Sequence, residues 1–314
     1  MLDSPFLINT KISCLLYADD FLILSTSPHG LQNKINRPHK YCQKWNLNVN
    51  IKKTKVIIFN PRGNLIKQQK FLYDNTEIDI VPEYVYLGLK LHCSGNLTTA
   101  IKDLVMKGKK ALFKMRSYYP ISLQSKLKTS MKLFDSLILP VITYCCEIWS
   151  QNLSHSKTNL VENLHNSFCK QILGLSSKAS NSATKAELGR FPIINPIHTR
   201  MLKYYAHLNN TSNLILKGAL DWQRKLMPFI TNKKQKKSLW LQHTKDILDN
   251  HGLSYLFANP NKIENNRSII KERINDTFIQ NWFTEIENDD LGNRNRTFGN
   301  KLRTYRTFKQ IYRT

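Results

Sequence analysis

Two adjacent carboxylates, Asp19 and Asp20, interrupt an otherwise apolar run, CLLYADDFLIL at positions 14–24. Burying a carboxylate costs several kcal/mol unless a cation, a proton or hydrogen-bond donors compensate its charge. The run predicts two short strands within residues 12–26, joined by a turn that carries both acids. Any fold of this chain must therefore accommodate two neighbouring charges at the end of an apolar hairpin.

Two interpretations of the acidic pair are open. Asp is a common turn residue, so a plain hairpin turn is one of them. The strands, however, are apolar on both faces, as in sheets covered on both sides, and no Gly or Asn carries the turn. A divalent cation would neutralise the pair, and hard oxygen ligands of this kind suit Mg²⁺. We therefore expect Asp19 and Asp20 to bind Mg²⁺, with the plain turn as the alternative.

The positive charge of the chain indicates a polyanionic partner. Among 314 residues, Lys and Arg number 47 against 22 Asp and Glu, which gives a formal net charge of +25 spread along the whole chain. Such a field attracts nucleic acid first, and an acidic membrane surface or a ribosome-like assembly next. The 41% hydrophobic content suffices for a substantial core and argues against disorder throughout.

The six cysteines show no C-x-x-C spacing and favour a reduced, intracellular compartment. His165 and Cys169 lie one helical turn apart; we expect both to pack in a core, with a metal site as the alternative, and we expect no zinc. Asp19 and Asp20 interrupt the N-terminal apolar segment, so we expect no signal sequence, no membrane span and a soluble chain.

The first 92 residues have the pattern of a compact α+β unit. A Ser-Pro pair at positions 27 and 28 predicts the cap and first residue of a helix, in which Pro38 should cause a kink or break. The β-branched residues 54–59, TKVIIF, predict a buried strand. Residues 71–91 alternate around Asn75 and predict a small antiparallel ribbon.

After residue 92 the pattern changes to long helices with apolar stripes. The three stripes are Leu97, Ile101, Leu104, Leu112 and Met115; Leu123, Leu127, Met131, Phe134 and Ile138; and Leu160, Leu164, Phe168 and Ile172. A basic knot, KKQKK at 233–237, suggests a linker between helices or a nuclear-import or RNA patch. The basic and aromatic residues 293–314 suggest either a docked helix or a segment that stacks on single-stranded RNA.

The acidic hairpin and the segments after it resemble the reverse transcriptases of non-LTR retrotransposons, the LINE class. The resemblance lies in the order and spacing of YADD, WNLNVNIKKTKVIIF and YVYLGLKL. It continues through LILPVITYCCEIWS, KAELGRFPI and KLRTYRTFKQIY, and so covers nearly the whole chain. YADD alone is a weak signal, whereas YADD in this hydrophobic frame with the two downstream motifs is strong.

The resemblance implies roles for the residues of the hairpin and the following motifs. Asp19 would bridge two catalytic Mg²⁺ ions beside Asp20, while Tyr17 and Ala18 would line the floor of the polymerase palm. These ions would activate the primer 3′-hydroxyl and stabilise the pyrophosphate leaving group.

The resemblance also implies roles for residues downstream of the hairpin. Lys53 and Lys55 would lie near the phosphates, Lys55 with a catalytic role at the leaving group; the alternative is two solvated lysines at the start of a strand. Tyr86, Leu87 and Gly88 would grip the primer end, with core packing around a Gly88 bulge as the alternative.

The resemblance further implies a fold class and a division of the chain. We expect an α+β fold with a partial palm of antiparallel hairpins and one helix at 1–92, a helical thumb at 93–150 and a helical basic region at 151–314. Lysines of the first thumb helix would contact template and primer phosphates, or else form an ordinary solvated helix face. These lysines are Lys102, Lys107, Lys109, Lys110 and Lys114. The implied partners are an RNA template, a DNA primer and, in a completed enzyme, deoxynucleoside triphosphates, with no membrane.

Two parts of the family's pattern are missing, the fingers with their Gly-rich segment and the palm strand that carries the first catalytic Asp. A two-metal polymerase needs a third carboxylate from another palm strand, and only Asp3 precedes Tyr17, in a segment unlike that strand. We therefore expect the carboxyl-terminal portion of a retrotransposon polymerase, inactive alone, found in the nucleus with a cytoplasmic ribonucleoprotein phase. The alternatives are a non-enzymatic RNA or DNA binder and a partial product of a degraded element. An uncovered sheet edge should also make the first 92 residues less stable than the helices and prone to self-association.

Overall fold

The computed structural model describes residues 3–7, 10–66, 68–119, 127–153, 155–230 and 239–288. Short antiparallel hairpins are followed by many helices, which confirms the α+β class with a helical C-terminal region. The chain divides into two compact units. The hairpin unit is Met1–Ala100 with Leu208–Leu241, and the helical unit is Ile101–His207 with Gln242–Thr314.

Eight short strands form four two-stranded antiparallel sheets in the described part of the hairpin unit. The pairs are β1 Phe6–Leu7 with β2 Thr10–Lys11, β3 Cys14–Tyr17 with β4 Asp20–Ile23, β5 Phe71–Tyr73 with β6 Thr76–Ile78, and β7 Glu83–Tyr86 with β8 Leu89–His92.

The helices lie mostly beyond residue 97. In chain order they are α1 Pro28–Lys44, α2 Thr98–Tyr118, α3 Leu127–Leu133, α4 Leu139–Ile142, α5 Cys146–Trp149, α6 His155–Ile172, α7 Asn181–Glu187, α8 Ile194–Asn210, α9 Leu214–Leu226, α10 Trp240–Asn250, α11 Tyr255–Ala258, α12 Asn261–Asn265 and α13 Arg267–Asn288. A short π-helix, Phe134–Ile138, joins α3 to α4.

Helix α1 begins as its sequence predicts. Ser27 is the N-cap, and its hydroxyl accepts a hydrogen bond from the Gly30 amide at 3.1 Å. The break expected at Pro38 is wrong, because the helix continues to Lys44. The Gln32 side chain bonds both backbone groups of Leu72, so contacts with β5 offset the hydrogen bond that proline removes.

The core of the hairpin unit is small and joins α1 to the strands. Its buried members are Ile35, Val56, Phe71 and Ile78, and the base of β4 packs against them. The buried strand predicted at 54–59 is wrong, since Val56 makes only a single parallel bridge, to Ile80. The predicted turn at Asn75 is confirmed, but the ribbon is two hairpins, the second of them at the Tyr86–Gly88 motif that the resemblance assigned to a hairpin.

The helical unit buries most of the predicted stripes, while Leu127, Met131 and Leu160 are half-buried. The buried stripe residues include Leu104, Leu112, Phe134, Ile138, Leu164, Phe168 and Ile172. The rings of Phe134 and Phe168 stack with centroids 4.3 Å apart. A Cβ at Gly108 would collide with Ile142, so glycine allows α2 to approach α4 closely.

Three sequence predictions lie outside the described residues: Leu123, the KKQKK knot and residues 293–314. In the part of the chain that is described, none of the helices taken singly has the length and apolar composition to cross a membrane. The bent pair Leu127–Ile142 and Cys146–Asn152 meets that test of length and composition only when taken together.

Candidate functional site

The acidic pair lies at the tip of the β3–β4 hairpin. Tyr17 pairs with Asp20 and closes a two-residue loop of Ala18 and Asp19, so Asp20 is the first residue of β4 and only Asp19 is in the loop. Ala18 has φ 50°, a left-handed conformation that is uncommon for residues other than glycine. This φ lets the chain reverse without the Gly or Asn that tight hairpins usually carry.

The prediction that the acids and their strands are buried is wrong. Asp19 and Asp20 are exposed, Leu16 is 72% exposed and Tyr17 is 64% exposed. The reason is that β3 and β4 pair only with each other among the described strands, so nothing covers the apolar side chains near the tip. Exposed carboxylates carry no burial cost that a cation would have to offset.

The chemical type of the two acidic side chains suits Mg²⁺, but two carboxylates are too few for a two-metal site. Adjacent carboxylates are hard oxygen donors of the kind Mg²⁺ prefers. Among the described residues, however, no group of three or more His, Cys, Asp or Glu side chains could hold a metal ion. Asp19 and Asp20 alone therefore do not make a two-metal site, and no catalytic step follows from them here.

Asp3 does not complete the site. Its carboxylate accepts a hydrogen bond from the Thr26 hydroxyl at 2.8 Å. Thr26 follows β4, so this contact lies at the end of the hairpin opposite the acidic loop. Hydrogen bonds from Ser27 and Thr26 lower the pKa of Asp3. Buried Lys34 fixes the same N-terminal segment, because its Nζ donates to Ser4 Oγ at 2.6 Å and to the Asp3 and Leu24 carbonyls.

Lys53 and Lys55 are attached to neighbouring parts of the hairpin unit. Lys55 Nζ forms an ion pair with Asp79 at 2.5 Å, so the alternative of a merely solvated lysine does not describe Lys55. The Lys53 side chain is exposed, while its carbonyl accepts a hydrogen bond from the Tyr84 hydroxyl at 3.0 Å. This last bond connects the lysine segment to the β7–β8 hairpin.

Leu87 and Gly88 form the tip of the β7–β8 hairpin. Tyr86 pairs with Leu89 around these two residues, whose φ values of 46° and 81° fit a type I′ turn. Gly88 is therefore a loop residue and not the bulge of the alternative interpretation. The structure thus connects the Lys53 backbone with Tyr84 of β7, and the Lys55 side chain with Asp79 between β6 and β7.

The five predicted lysines of α2, Lys102, Lys107, Lys109, Lys110 and Lys114, are all exposed. Asp103 is the only acidic residue of this helix, and it forms an ion pair with Lys107 at 2.8 Å. The exposed surface also includes Met106 and Phe113, the latter 75% exposed. An exposed surface that combines several cations with apolar side chains is suited to a polyanion such as nucleic acid.

An ionic cluster in the helical unit, buried at Glu162, His165 and Lys185, was not predicted from the sequence. Arg190 donates through Nε to His165 Nε2 at 2.8 Å and through both terminal nitrogens to the Asp135 carboxylate. Lys185 Nζ lies 3.5 Å from Glu162. Burial would raise the pKa of Glu162, but the neighbouring His165 and Lys185 lower it overall.

The cluster bears on the predicted role of His165. This side chain is buried and stacks on Phe134, and burial lowers its pKa, so His165 is a packed core residue as predicted. Arg190 and Lys185 meet partners that are distant in the chain, 25 residues for Arg190 with His165 and 55 for Arg190 with Asp135. No local sequence pattern indicates such pairs.

Comparisons with known proteins agree with the sequence motifs. Residues 1–91 match the family described as reverse transcriptase (RNA-dependent DNA polymerase). The chain is also 24% identical over 216 residues to a Caenorhabditis elegans protein described as transposon-derived, a match that covers 68% of this chain and 70% of that protein. No solved structure matches the chain significantly. Residues 1–91 are thus similar to reverse transcriptases, and about two thirds of the chain is similar to a transposon-derived protein.

Proposed function

We propose that this chain is a reverse-transcriptase fragment of a non-LTR retrotransposon that binds template–primer nucleic acid. The observation that carries the proposal is the exposed basic face of α2. It bears five lysines and a single carboxylate, already paired with Lys107. The match of residues 1–91 to reverse transcriptases and the spacing of YADD, KKTK and YLG support the polymerase lineage.

In this proposal the two units contribute different contacts. Tyr86, Leu87 and Gly88 hold the primer end, and Lys53 with Lys55 lies near its phosphates. Lysines of α2 neutralise phosphates along the template–primer duplex. The site of action is the nucleus, with a cytoplasmic ribonucleoprotein phase, because template RNA must meet genomic DNA.

Polymerisation by these residues alone is not part of the proposal. Asp19 and Asp20 supply two ligands for Mg²⁺, and a two-metal site needs a further carboxylate. The incomplete ligand set favours a second candidate, a basic nucleic-acid binder derived from a retroelement and independent of Mg²⁺. Binding measurements separate the two: salt-sensitive binding that is unchanged by Mg²⁺ and by Asp19→Asn favours the second candidate. In primer extension, robust Mg²⁺-dependent synthesis that is lost in Asp19→Asn would contradict the inactivity that both candidates predict.

Binding is tested with a triple variant of α2 and a control of equal charge. Lys109→Gln, Lys110→Gln and Lys114→Gln together should weaken binding to an RNA–DNA duplex about tenfold and reduce the slope of log affinity against log salt by up to about three. The control replaces exposed Lys178, Lys203 and Lys271, which lie outside α2 in the helical unit. Equal losses in the two triple variants would refute a specific role for α2.

A further inference from the structure

An aromatic and basic patch lies at the C-terminal end of α1 and has no role in the proposed function. We call it the α1 patch: Arg37, Lys40, Tyr41, Lys44 and Trp45, all of them exposed. Tyr41 is 60% exposed and Trp45 is 58% exposed. Two large aromatic side chains this exposed, one helical turn apart, are more than scattered apolar residues on a surface.

The two rings and one cation form a compact group. The centroids of Tyr41 and Trp45 lie 6.2 Å apart with their planes tilted by 48°. Lys44 Nζ lies 5.6 Å from the centroid of the Trp45 ring, within the range of a cation–π contact. A flat ring with a cation beside it offers both a stacking surface and a positive charge.

The end of the helix holds Trp45 in place. Asn46 is left-handed, with φ 51°, and its amide donates to the Gln43 carbonyl at 3.4 Å. The Leu47 amide donates to the Cys42 carbonyl at 2.8 Å, which completes a Schellman motif. Because the backbone around Trp45 is fixed, a partner that binds its ring orders little additional structure.

The charge of the α1 patch indicates what kind of partner it can bind. Helix α1 contains no Asp or Glu, and among the described residues no carboxylate pairs with Arg37, Lys40 or Lys44. The carboxylate that approaches the helix, Asp74, lies 3.6 Å from His39. The α1 patch is therefore complementary to an anion that also presents flat, apolar faces.

We infer that the α1 patch binds single-stranded nucleic acid. Bases stack on Trp45 and Tyr41, while Arg37, Lys40 and Lys44 neutralise the phosphates on either side. A duplex hides the faces of its bases, so the patch should prefer a single strand of either RNA or DNA. This inference goes beyond the proposed function, since it uses neither α2 nor the acidic pair.

The first experiment measures affinity by fluorescence anisotropy. The probes are labelled oligouridylate, oligothymidylate of equal length and an RNA duplex. Trp45→Ala should weaken binding to both single strands about 5- to 100-fold and leave duplex affinity within about twofold. Trp45→Phe keeps an aromatic face and should retain most of the affinity. Phe59→Ala is the control, because Phe59 is 59% exposed in the same unit but outside the patch.

Specific results of the same experiment would contradict the inference. It is overturned if the parent chain does not bind the single strands, or if Trp45→Ala binds them as well as the parent does. An equal loss for the duplex would also overturn it, because the patch would then not select single strands by base stacking. Binding only to phosphatidylserine vesicles, lost in Trp45→Ala, would instead indicate a membrane. If circular dichroism shows that Trp45→Ala melts α1, Tyr41→Ala and Lys44→Gln test the same patch.

The experiment distinguishes this inference from the proposed function. Failure of the α2 triple variant to affect duplex binding would contradict the proposed function and leave the Trp45 result standing. Failure of Trp45→Ala to affect single strands would contradict the α1 patch and leave the α2 result standing. The single-strand probes also show whether RNA or DNA is preferred.

Discussion

The hairpin unit and the helical unit differ in how completely they bury their apolar side chains. In the hairpin unit, a core of Ile35, Val56, Phe71 and Ile78 joins α1 to short strands, and the apolar residues near the β3–β4 tip stay exposed. In the helical unit, stripes predicted from sequence face inward, and Phe134 and Phe168 are fully buried. Two-stranded hairpins are marginally stable alone, so we expect the hairpin unit to unfold first.

The largest expected effect is in the helical core. Phe168→Ala removes a fully buried ring that stacks on Phe134, and should lower the free energy of unfolding by about 3 to 5 kcal/mol. Denaturant unfolding followed by circular dichroism measures this loss. Phe113→Ala, at an exposed position of α2, is the control and should change stability by less than about 0.5 kcal/mol. Equal effects of the two would show that the helical core is not packed as described.

The second-largest effect is expected from low pH, which should lower the stability of the helical unit. His198 Nδ1 lies 3.0 Å from His251 Nε2, and burial, then His251 and His243, lower the pKa of His198 to about 3. A folded-state pKa below the unfolded value means that stability present above about pH 6.5 is lost as the pH falls toward 3.

At pH 4 the loss from His198 should be about 3 kcal/mol. Unfolding free energies measured between pH 7 and pH 4 test this, and His198→Asn should flatten the profile. His29→Gln is the control, because His29 is exposed and belongs to the hairpin unit. An unchanged profile in His198→Asn would remove His198 as the source of acid sensitivity.

A smaller effect is expected from the buried cation of the hairpin unit. Lys34→Met leaves Ser4 Oγ and the Asp3 and Leu24 carbonyls without their shared donor, and should cost about 2 kcal/mol. Hydrogen exchange, read separately in the two units, should show the loss in the hairpin unit alone. Lys40→Met, at an exposed position of α1, serves as the control. A loss spread over both units would contradict the local role of Lys34.

The smallest effect is expected at the exposed hairpin. Leu16→Thr should change stability by less than about 0.5 kcal/mol, because the side chain is 72% exposed. It should also reduce self-association in sedimentation experiments, since it removes apolar surface from an unpaired edge. Ile78→Thr, in the core of the same unit, should by contrast cost more than about 2 kcal/mol. A large loss at Leu16 would mean that the hairpin is covered after all.

The sequence predicted features that depend on near neighbours in the chain. The Ser27 cap, the acidic hairpin and the apolar stripes follow from spacing over a few residues. The errors lie where distant partners decide. Helix α1 passes through Pro38 because β5 supports it, and residues 54–59 do not form a strand because Val56 alone finds a partner, Ile80.

The same limit applies to the candidate site. The chemical types of Asp19, Asp20 and Lys55 could be recognised from motifs, but the exposure of the acids depends on whether another strand lies beside β3 or β4. Neither the pairing of Lys55 with Asp79 nor the contact of His198 with His251 leaves a local pattern. The α1 patch could have been noticed as Arg, Lys, Tyr and Trp at helical spacing, but its exposure could not.

The left-handed backbone of Ala18 affects the directions in which the Asp19 and Asp20 side chains can point. An L-residue in a left-handed conformation costs roughly 1 kcal/mol, and glycine would relieve that cost. Glycine at this position would also allow the hairpin tip many backbone conformations, whereas alanine restricts the tip to fewer conformations. The methyl group of Ala18 thus makes the hairpin slightly less stable while giving Asp19 and Asp20 a narrower range of directions.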